Sequence, residues 1–218
     1  MNKIAFIFDL DGVIVDTAKY HYAAWKNLAN TLGFDFTEAQ NEQLKGVSRV
    51  KSLEIILKIG KIDLPEDEKQ SLLVKKNLEY LDYVKRMTSD EILPGVLELL
   101  NFLEAHHIKF ALGSASKNAP MILEKVGLID RFTAIVDGND VTKAKPDPEV
   151  FLIGAQKLNM SPENCVVFED AIAGIQAANA ANMISIGIGD KKVLEESDYV
   201  FKDISLITTD FLENLINQ

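Results

Sequence analysis

At 218 residues the chain exceeds the ~150 residues of an ordinary domain by about half, which leaves room for one domain with an insertion but not for three domains. Hydrophobic residues make up 47% and charged residues 26%, excluding disorder as the main state, and one cysteine, Cys165, excludes a disulfide scaffold. A net charge of −10 argues against a broad nucleic-acid or anionic-membrane surface and is compatible with a local basic pocket around a small anion.

The first apolar run, residues 4–8, meets Asp9 at once. It is too short for a secretion signal, and no segment approaches the ~18 apolar residues of a membrane span. It has the length of a parallel strand buried on both faces. A cytoplasmic protein without a membrane segment is the expectation.

From Thr17 to about Met87 the pattern is helical, with no convincing strand. His21, Trp25, Leu28 and Leu32 recur at helical spacing, and Gly33 then stops the helix. Ser48 can cap a segment carrying Leu53, Ile56 and Leu57. Asp63 with Glu66 predicts a capping-box start for a long helix to about Met87. Pro94 and Gly95 punctuate the return to the sheet pattern. Strands are expected at residues 108–112, 133–136, 165–168 and 183–188, with a weaker one at 199–201. Helices are expected at 96–105, 120–126, 148–158 and 172–181.

This alternation predicts an α/β protein with a doubly wound, Rossmann-like parallel-sheet core, residues 1–15 and 92–218. An all-helical cap, residues 16–91, is inserted after the first strand. Ligands of such sheets bind at the carboxyl ends of the strands, where the cap can act as a lid. Cys165, inside an apolar run, reads as a small buried hydrophobe. His106 and His107 fall at a helix end.

Four strand ends carry chemistry. After the first strand come Asp9 and Asp11. Two carboxylates one residue apart on extended backbone point the same way and can divide the roles of nucleophile and general acid/base. Gly12 permits a sharp turn. After the strand near residue 108 come Gly113, Ser114, Ala115, Ser116, Lys117 and Asn118, hydroxyls and N–H groups suited to a phosphate oxygen or to capping the next helix. Lys145, held before Pro146, can neutralise a phosphate and a carboxylate crowded together; Lys143 reads as a solvated loop lysine. Glu169 and Asp170 can join Asp9 around a hard cation. The only histidines are at 21, 106 and 107, so an all-oxygen shell selects magnesium. Gly187 and Gly189 lack a third glycine at dinucleotide spacing, and no stretch reads as a Walker loop.

Together the four motifs resemble the haloacid dehalogenase superfamily of phosphotransferases. The resemblance implies that Asp9 attacks the phosphoryl group. It implies that Asp11 protonates the leaving oxygen and lends its backbone carbonyl to magnesium. Ser114 and Lys145 match its phosphate-binding positions. Glu169 and Asp170 match its metal-side acids, with Asp170 the direct ligand.

Residues 16–21, Ala24, Trp25, residues 44–49 and residues 114–118 look like the β-phosphoglucomutase family within that superfamily. This implies interconversion of β-D-glucose 1-phosphate and D-glucose 6-phosphate through β-glucose 1,6-bisphosphate. The expected partners are small-molecule sugar phosphates, with no nucleic acid, and the expected state is a monomer. The bisphosphate must bind in both orientations, so a distal anion site is needed. Arg49, with its forked guanidinium, is the candidate, supplemented by Ser116, Lys117 and Asn118. Lys45 and Gly46 would lie near the sugar, and Lys76 matches a substrate-side lysine. His21 resembles a residue that pairs with the acid/base aspartate on closure, and Thr17 can brace the cap hinge. Trp25, grouped with the substrate side by the resemblance, reads as packing. A sugar-phosphate phosphatase is the alternative. A non-catalytic sugar-phosphate-binding regulator is the more remote one, because binding alone needs no Asp9/Asp11 pair.

Overall fold

The computed structural model describes residues 4–45 and 47–217; Gly46, expected beside the sugar, lies outside them. Six strands form one parallel sheet: β1 (Ala5–Phe8), β2 (Phe110–Gly113), β3 (Ala134–Val136), β4 (Cys165–Glu169), β5 (Ile184–Ile188) and β6 (Tyr199–Phe201). Their order is β3-β2-β1-β4-β5-β6. The helices among the described residues are α1 (Ala18–Thr31), α2 (Glu38–Asn41), α3 (Arg49–Gly60), α4 (Glu66–Val84), α5 (Val96–Ala105), α6 (Ala119–Lys125), α7 (Glu149–Leu158), α8 (Ile172–Ala180) and α9 (Thr209–Ile216).

The apolar runs become strands because both sheet faces are covered. Phe6, Phe8 and Phe168 pack on one face with Leu100 of α5, Ile122 of α6 and Leu212 of α9. Ile7 and Val167 pack on the other with Phe151 of α7 and Ala178 of α8. Cys165 is buried there as expected, and burial pushes its thiol up to about 11. Strand β1 pairs with β2 on one side and β4 on the other, placing Phe8 opposite both Leu112 and Phe168. The chain winds outward from β1 to β3 and restarts at β4. The crevice at this reversal is where such a sheet presents its ligand site, and Asp9 and Asp170 follow directly from its two walls.

Beyond β1 the chain makes a tight turn. The N–H groups of Ile14 and Val15 donate to Leu10 O, and that of Gly12 donates to Val15 O. Val15 also bridges Ile92, tying the two cap connections together. The cap helices bury their own cluster, with Trp25, Leu28, Phe36, Leu53, Ile56 and Leu73 at its centre. Tyr80 and Val84, farther along α4, join the core cluster instead. Glu91, in the second connection, accepts from Lys19 Nζ at 2.6 Å and from the Tyr20 hydroxyl.

Ser48 caps α3 as expected, its hydroxyl accepting from Lys51 N at 3.3 Å. The capping box expected at Asp63 does not form. Pro65 occupies the N-cap of α4, and a residue preceding proline is pushed out of the helical region, so Leu64 cannot extend the helix toward Asp63. The helix also ends at Val84 rather than Met87. A capping box stands instead at Thr37 and Gln40, opening α2. Strand β2 begins two residues later than expected, and the helix expected at 120–126 starts at Ala119.

Candidate active site

Asp9 is placed by β1, its N–H donating to Phe168 O at 2.9 Å. Its Oδ2 accepts the Asp11 N–H at 3.0 Å. Its Oδ1 accepts from Lys145 Nζ at 2.6 Å. The same ammonium donates to Glu169 Oε1 at 2.7 Å and to Gly113 O at 3.2 Å. All three donors of Lys145 are therefore used, and one lysine joins the ends of β1, β2 and β4.

Lys145, Asp9 and Glu169 are all buried. Burial opposes the charge of Lys145, but the Asp9 and Glu169 carboxylates hold its pKa above the usual lysine range. Burial pushes Glu169 up, with Lys145 opposing. Asp170 is pushed well above the carboxylate range by burial and then by Glu169 and Asp9. One oxygen from each of Asp9, Glu169 and Asp170 lies within 4.8 Å of the others. Lys145 pairs with Asp9 and Glu169, and Asp170 adds a third carboxyl to an all-oxygen donor set that fits a hard divalent cation.

Two glycines make this packing possible. A Cβ on Gly174 of α8 would fall 1.8 Å from Glu169 Oε1. A Cβ on Gly12 would fall 2.3 Å from Asp170 Oδ2, and Gly12 has φ +83°, where side chains are strained. Gly12 thus shapes the acidic side, and it lies outside the lining of the main cavity.

The Asp11 carboxylate accepts from the Thr17 hydroxyl. Thr17 stands at the N-cap of α1 yet makes no side-chain cap bond there, because its hydroxyl is committed to Asp11. Burial, then the neighbouring Asp9 charge, raises the Asp11 carboxyl to about 6. It therefore holds a proton far more readily than an exposed aspartate.

A cavity of about 610 Å³ lies between the sheet and the cap. Asp9, Asp11, Lys145 and Asp170 form its floor; His21, Trp25, Lys45, Arg49 and Lys76 line it from the cap; Ala115, Ser116, Lys117 and Asn118 line it from the core. Ser114 and Glu169 do not line it: Ser114 is fully buried, its Oγ accepting the Ser116 N–H at 3.1 Å. Ser116 Oγ accepts the Asn118 N–H at 3.2 Å, and Asn118 Nδ2 reaches across to Asn77 Oδ1 of α4 at 3.2 Å.

On the cap side, Lys76 Nζ lies 2.8 Å from His21 Nδ1. In this arrangement the carboxylate of Asp11 meets Thr17, and the imidazole expected to pair with it meets Lys76. Trp25 is buried within the cap cluster, as its packing role implies, and also borders the cavity. Lys45 pairs with Glu42 at 3.0 Å. Arg49, at the start of α3, makes no ion pair among the described residues and is half-buried. Sequence reasoning missed Asn77, Tyr80, Gly138, Val141 and Thr142, which also line the cavity. None carries a motif; tertiary packing alone brings them there.

Residues 6–188 match the sequence profile of the haloacid dehalogenase-like hydrolases. The chain belongs to this family. Among the family's curated members it is 43% identical to the β-phosphoglucomutase of Bacillus subtilis (strain 168), over 95% of this chain and 93% of that one. It is 32% identical to a phosphorylated carbohydrates phosphatase of Thermotoga maritima, over 90% and 92% of the two chains. A crystal structure of β-phosphoglucomutase from Clostridium difficile superposes with a TM-score of 0.93 at 42% identity, covering 100% of this chain and 98% of that one. The doubly wound core with a helical insertion after its first strand is therefore a haloacid dehalogenase-like fold. No helix among its described residues is long and apolar enough to cross a membrane.

Proposed function

We propose that this chain is a magnesium-dependent β-phosphoglucomutase. It interconverts β-D-glucose 1-phosphate and D-glucose 6-phosphate through an aspartyl phosphate on Asp9 and through β-glucose 1,6-bisphosphate. The observation that carries this reading is one cavity with a buried carboxylate–lysine floor and cationic cap residues, Arg49 and Lys76, lining its other wall. A bisphosphate has an anionic group for each. The likeness to the Bacillus subtilis and Clostridium difficile proteins supports the same choice.

The Asp9 carboxylate attacks phosphorus, the phosphorus–sugar oxygen bond breaks, and Asp11 gives its proton to the departing oxygen. In the return half, Asp11 takes the proton of the opposite sugar hydroxyl as that oxygen attacks the aspartyl phosphate. The elevated Asp11 carboxyl suits both duties. Lys145 offsets charge between the nucleophile and the incoming phosphoryl group. Ser114 and the backbone after it shape the phosphate end. Arg49, with Ser116, Lys117 and Asn118, holds the distal phosphate, while Lys45, Lys76 and His21 surround the sugar. Asp9, Glu169, Asp170 and the Asp11 carbonyl would hold magnesium, whose charge would screen the repulsion between Asp9 and the phosphate.

Residues 1–15 and 92–218 serve as the catalytic domain, and residues 16–91 as a cap that closes the cavity against water. We place the enzyme in the cytoplasm as a monomer acting on small sugar phosphates. Bisphosphate dependence tests the reading. Turnover of β-glucose 1-phosphate should require a trace of β-glucose 1,6-bisphosphate, whereas a phosphatase needs none.

A further inference from the structure

One carboxylate outside the catalytic set holds the segment that delivers Lys145. Residues Val141 to Lys145 line the cavity in succession. They belong to the connection from β3 to α7. Glu149, the first residue of α7, reaches back over this segment. Its Oε2 accepts the Thr142 N–H at 2.8 Å and the Lys143 N–H at 2.6 Å. Its Oε1 accepts from Thr142 Oγ1 at 3.0 Å. Asp147 completes the brace: its Oδ1 accepts the Glu149 N–H at 3.1 Å, and its Oδ2 pairs with Lys143 Nζ at 3.3 Å.

The bonds from Thr142 and Lys143 fix two consecutive peptides, and Lys145 follows two residues later. Its ammonium must then meet three oxygens at the ends of three different strands. Such a contact tolerates little displacement, and a misplacement of about 1 Å can cost on the order of 10²-fold in rate. A carboxylate is the right group for the brace. It accepts only, so both oxygens can face N–H and O–H donors, and its charge favours the N-terminus of α7.

We propose that Glu149 is a positioning residue for Lys145: it sets the loop from which the lysine reaches Asp9 and so governs phosphoryl transfer without touching substrate. The role rests on the reading of Asp9 as nucleophile given above. Glu149→Gln is the conservative variant: it keeps the size and one oxygen for the Thr142 and Lys143 N–H groups, and its NH₂ can donate to Thr142 Oγ1. Glu149→Ala removes the brace outright.

The experiment follows phosphorylation of Asp9 by acetyl phosphate, using intact-protein mass, alongside steady-state kinetics and melting. Glu149→Ala should be phosphorylated about ten-fold more slowly and lose kcat in proportion, and Glu149→Gln should recover most of both. The KM for bisphosphate should stay within about two-fold, with melting nearly unchanged. Wild-type phosphorylation rates in Glu149→Ala would overturn the proposal. So would a joint change in KM, kcat and melting, which marks a general structural role. A second readout is independent of turnover. The Lys145 ammonium protons, held by three oxygens, should exchange slowly with water in nitrogen–proton NMR and about ten-fold faster in Glu149→Ala; equal exchange rates would also overturn the proposal. A wild type that takes no phosphate contradicts the nucleophile reading instead, and the exchange measurement still decides the role of Glu149.

Discussion

The ammonium of Lys76 sits 2.8 Å from Nδ1 of His21, with the faces of Trp25 and Tyr80 each 4.7 Å from it. A lysine 2% exposed on a cap helix is costly to keep charged. Burial, then the nearby Arg49 charge, lowers its pKa to about 7. Burial, then Lys76 and Arg49, pushes His21 well below the ordinary histidine range. The pair therefore carries one positive charge at most, and a neutral imidazole accepts from the ammonium.

The sign of its effect on stability follows from linkage. Between about pH 7 and the unfolded lysine value near 10.4, the unfolded chain binds more protons at Lys76 than the folded chain does. Stability from this group rises with pH across that window, and its full cost is present below pH 7. Lys76→Met should stabilise the protein at pH 6 by on the order of a few kcal/mol, since each tenfold loss of proton affinity on folding is worth about 1.4 kcal/mol. The gain should shrink as pH rises toward 10. Urea unfolding of both proteins across this range is the check; a pH-independent difference would remove the buried charge from the account. Activity should fall in the same variant.

Asp9→Asn should fold, because the change is nearly isosteric and Lys145 keeps Glu169 and Gly113 as acceptors. It should take no phosphate from acetyl phosphate and show no turnover. Asp11→Asn should still bind sugar phosphate but lose about 10²-fold or more in rate, the usual scale for a general acid/base. A loss of only a few-fold would take that role from Asp11.

Gly174→Ala tests the packing behind the acids. The added Cβ overlaps Glu169 Oε1, so the Glu169 side chain must move away from Lys145 and from the Ala171 N–H it accepts at 2.8 Å. Overpacking of this kind costs about 1–3 kcal/mol. Thermal melting should fall, and magnesium affinity by isothermal titration should weaken with it. An unchanged magnesium affinity would show that Glu169 does not set the metal side.

The sequence made much of this site readable, for identifiable reasons. Residues 4–8 and 165–168 announce buried strands because no polar side chain interrupts them, and their carboxyl ends deliver Asp9, Glu169 and Asp170. Lys76 stands out in the sequence only through its match to a substrate-side lysine of the family; its burial depends on Trp25 and Tyr80 closing around it. Asn77, Val141 and Thr142 gave no signal, since cap and loop packing alone turn them to the cavity. The sequence places Thr17 as a brace of the cap hinge, and only its contact with Asp11 shows where its hydroxyl is used. The box expected at Asp63 failed because Pro65 overrides it.

Under the proposed function, Arg49 is expected to separate transfer from hydrolysis. Losing a charge-assisted contact costs about 1.5–3 kcal/mol, or roughly ten- to a hundred-fold in affinity. Arg49→Ala should lose mutase turnover far more than slow phosphoenzyme hydrolysis, while Asp9 stays phosphorylatable by acetyl phosphate. Equal losses in both rates would show that Arg49 does not gate closure.

The central claim is that the phosphoryl group returns to sugar and does not go to water. Phosphorus NMR of the purified protein with β-glucose 1-phosphate, magnesium and a trace of β-glucose 1,6-bisphosphate measures both fates at once. The account predicts that the glucose 1-phosphate resonance is replaced by that of glucose 6-phosphate, with little inorganic phosphate. Conversion of the substrate to inorganic phosphate and free glucose would contradict it and make the protein a phosphatase.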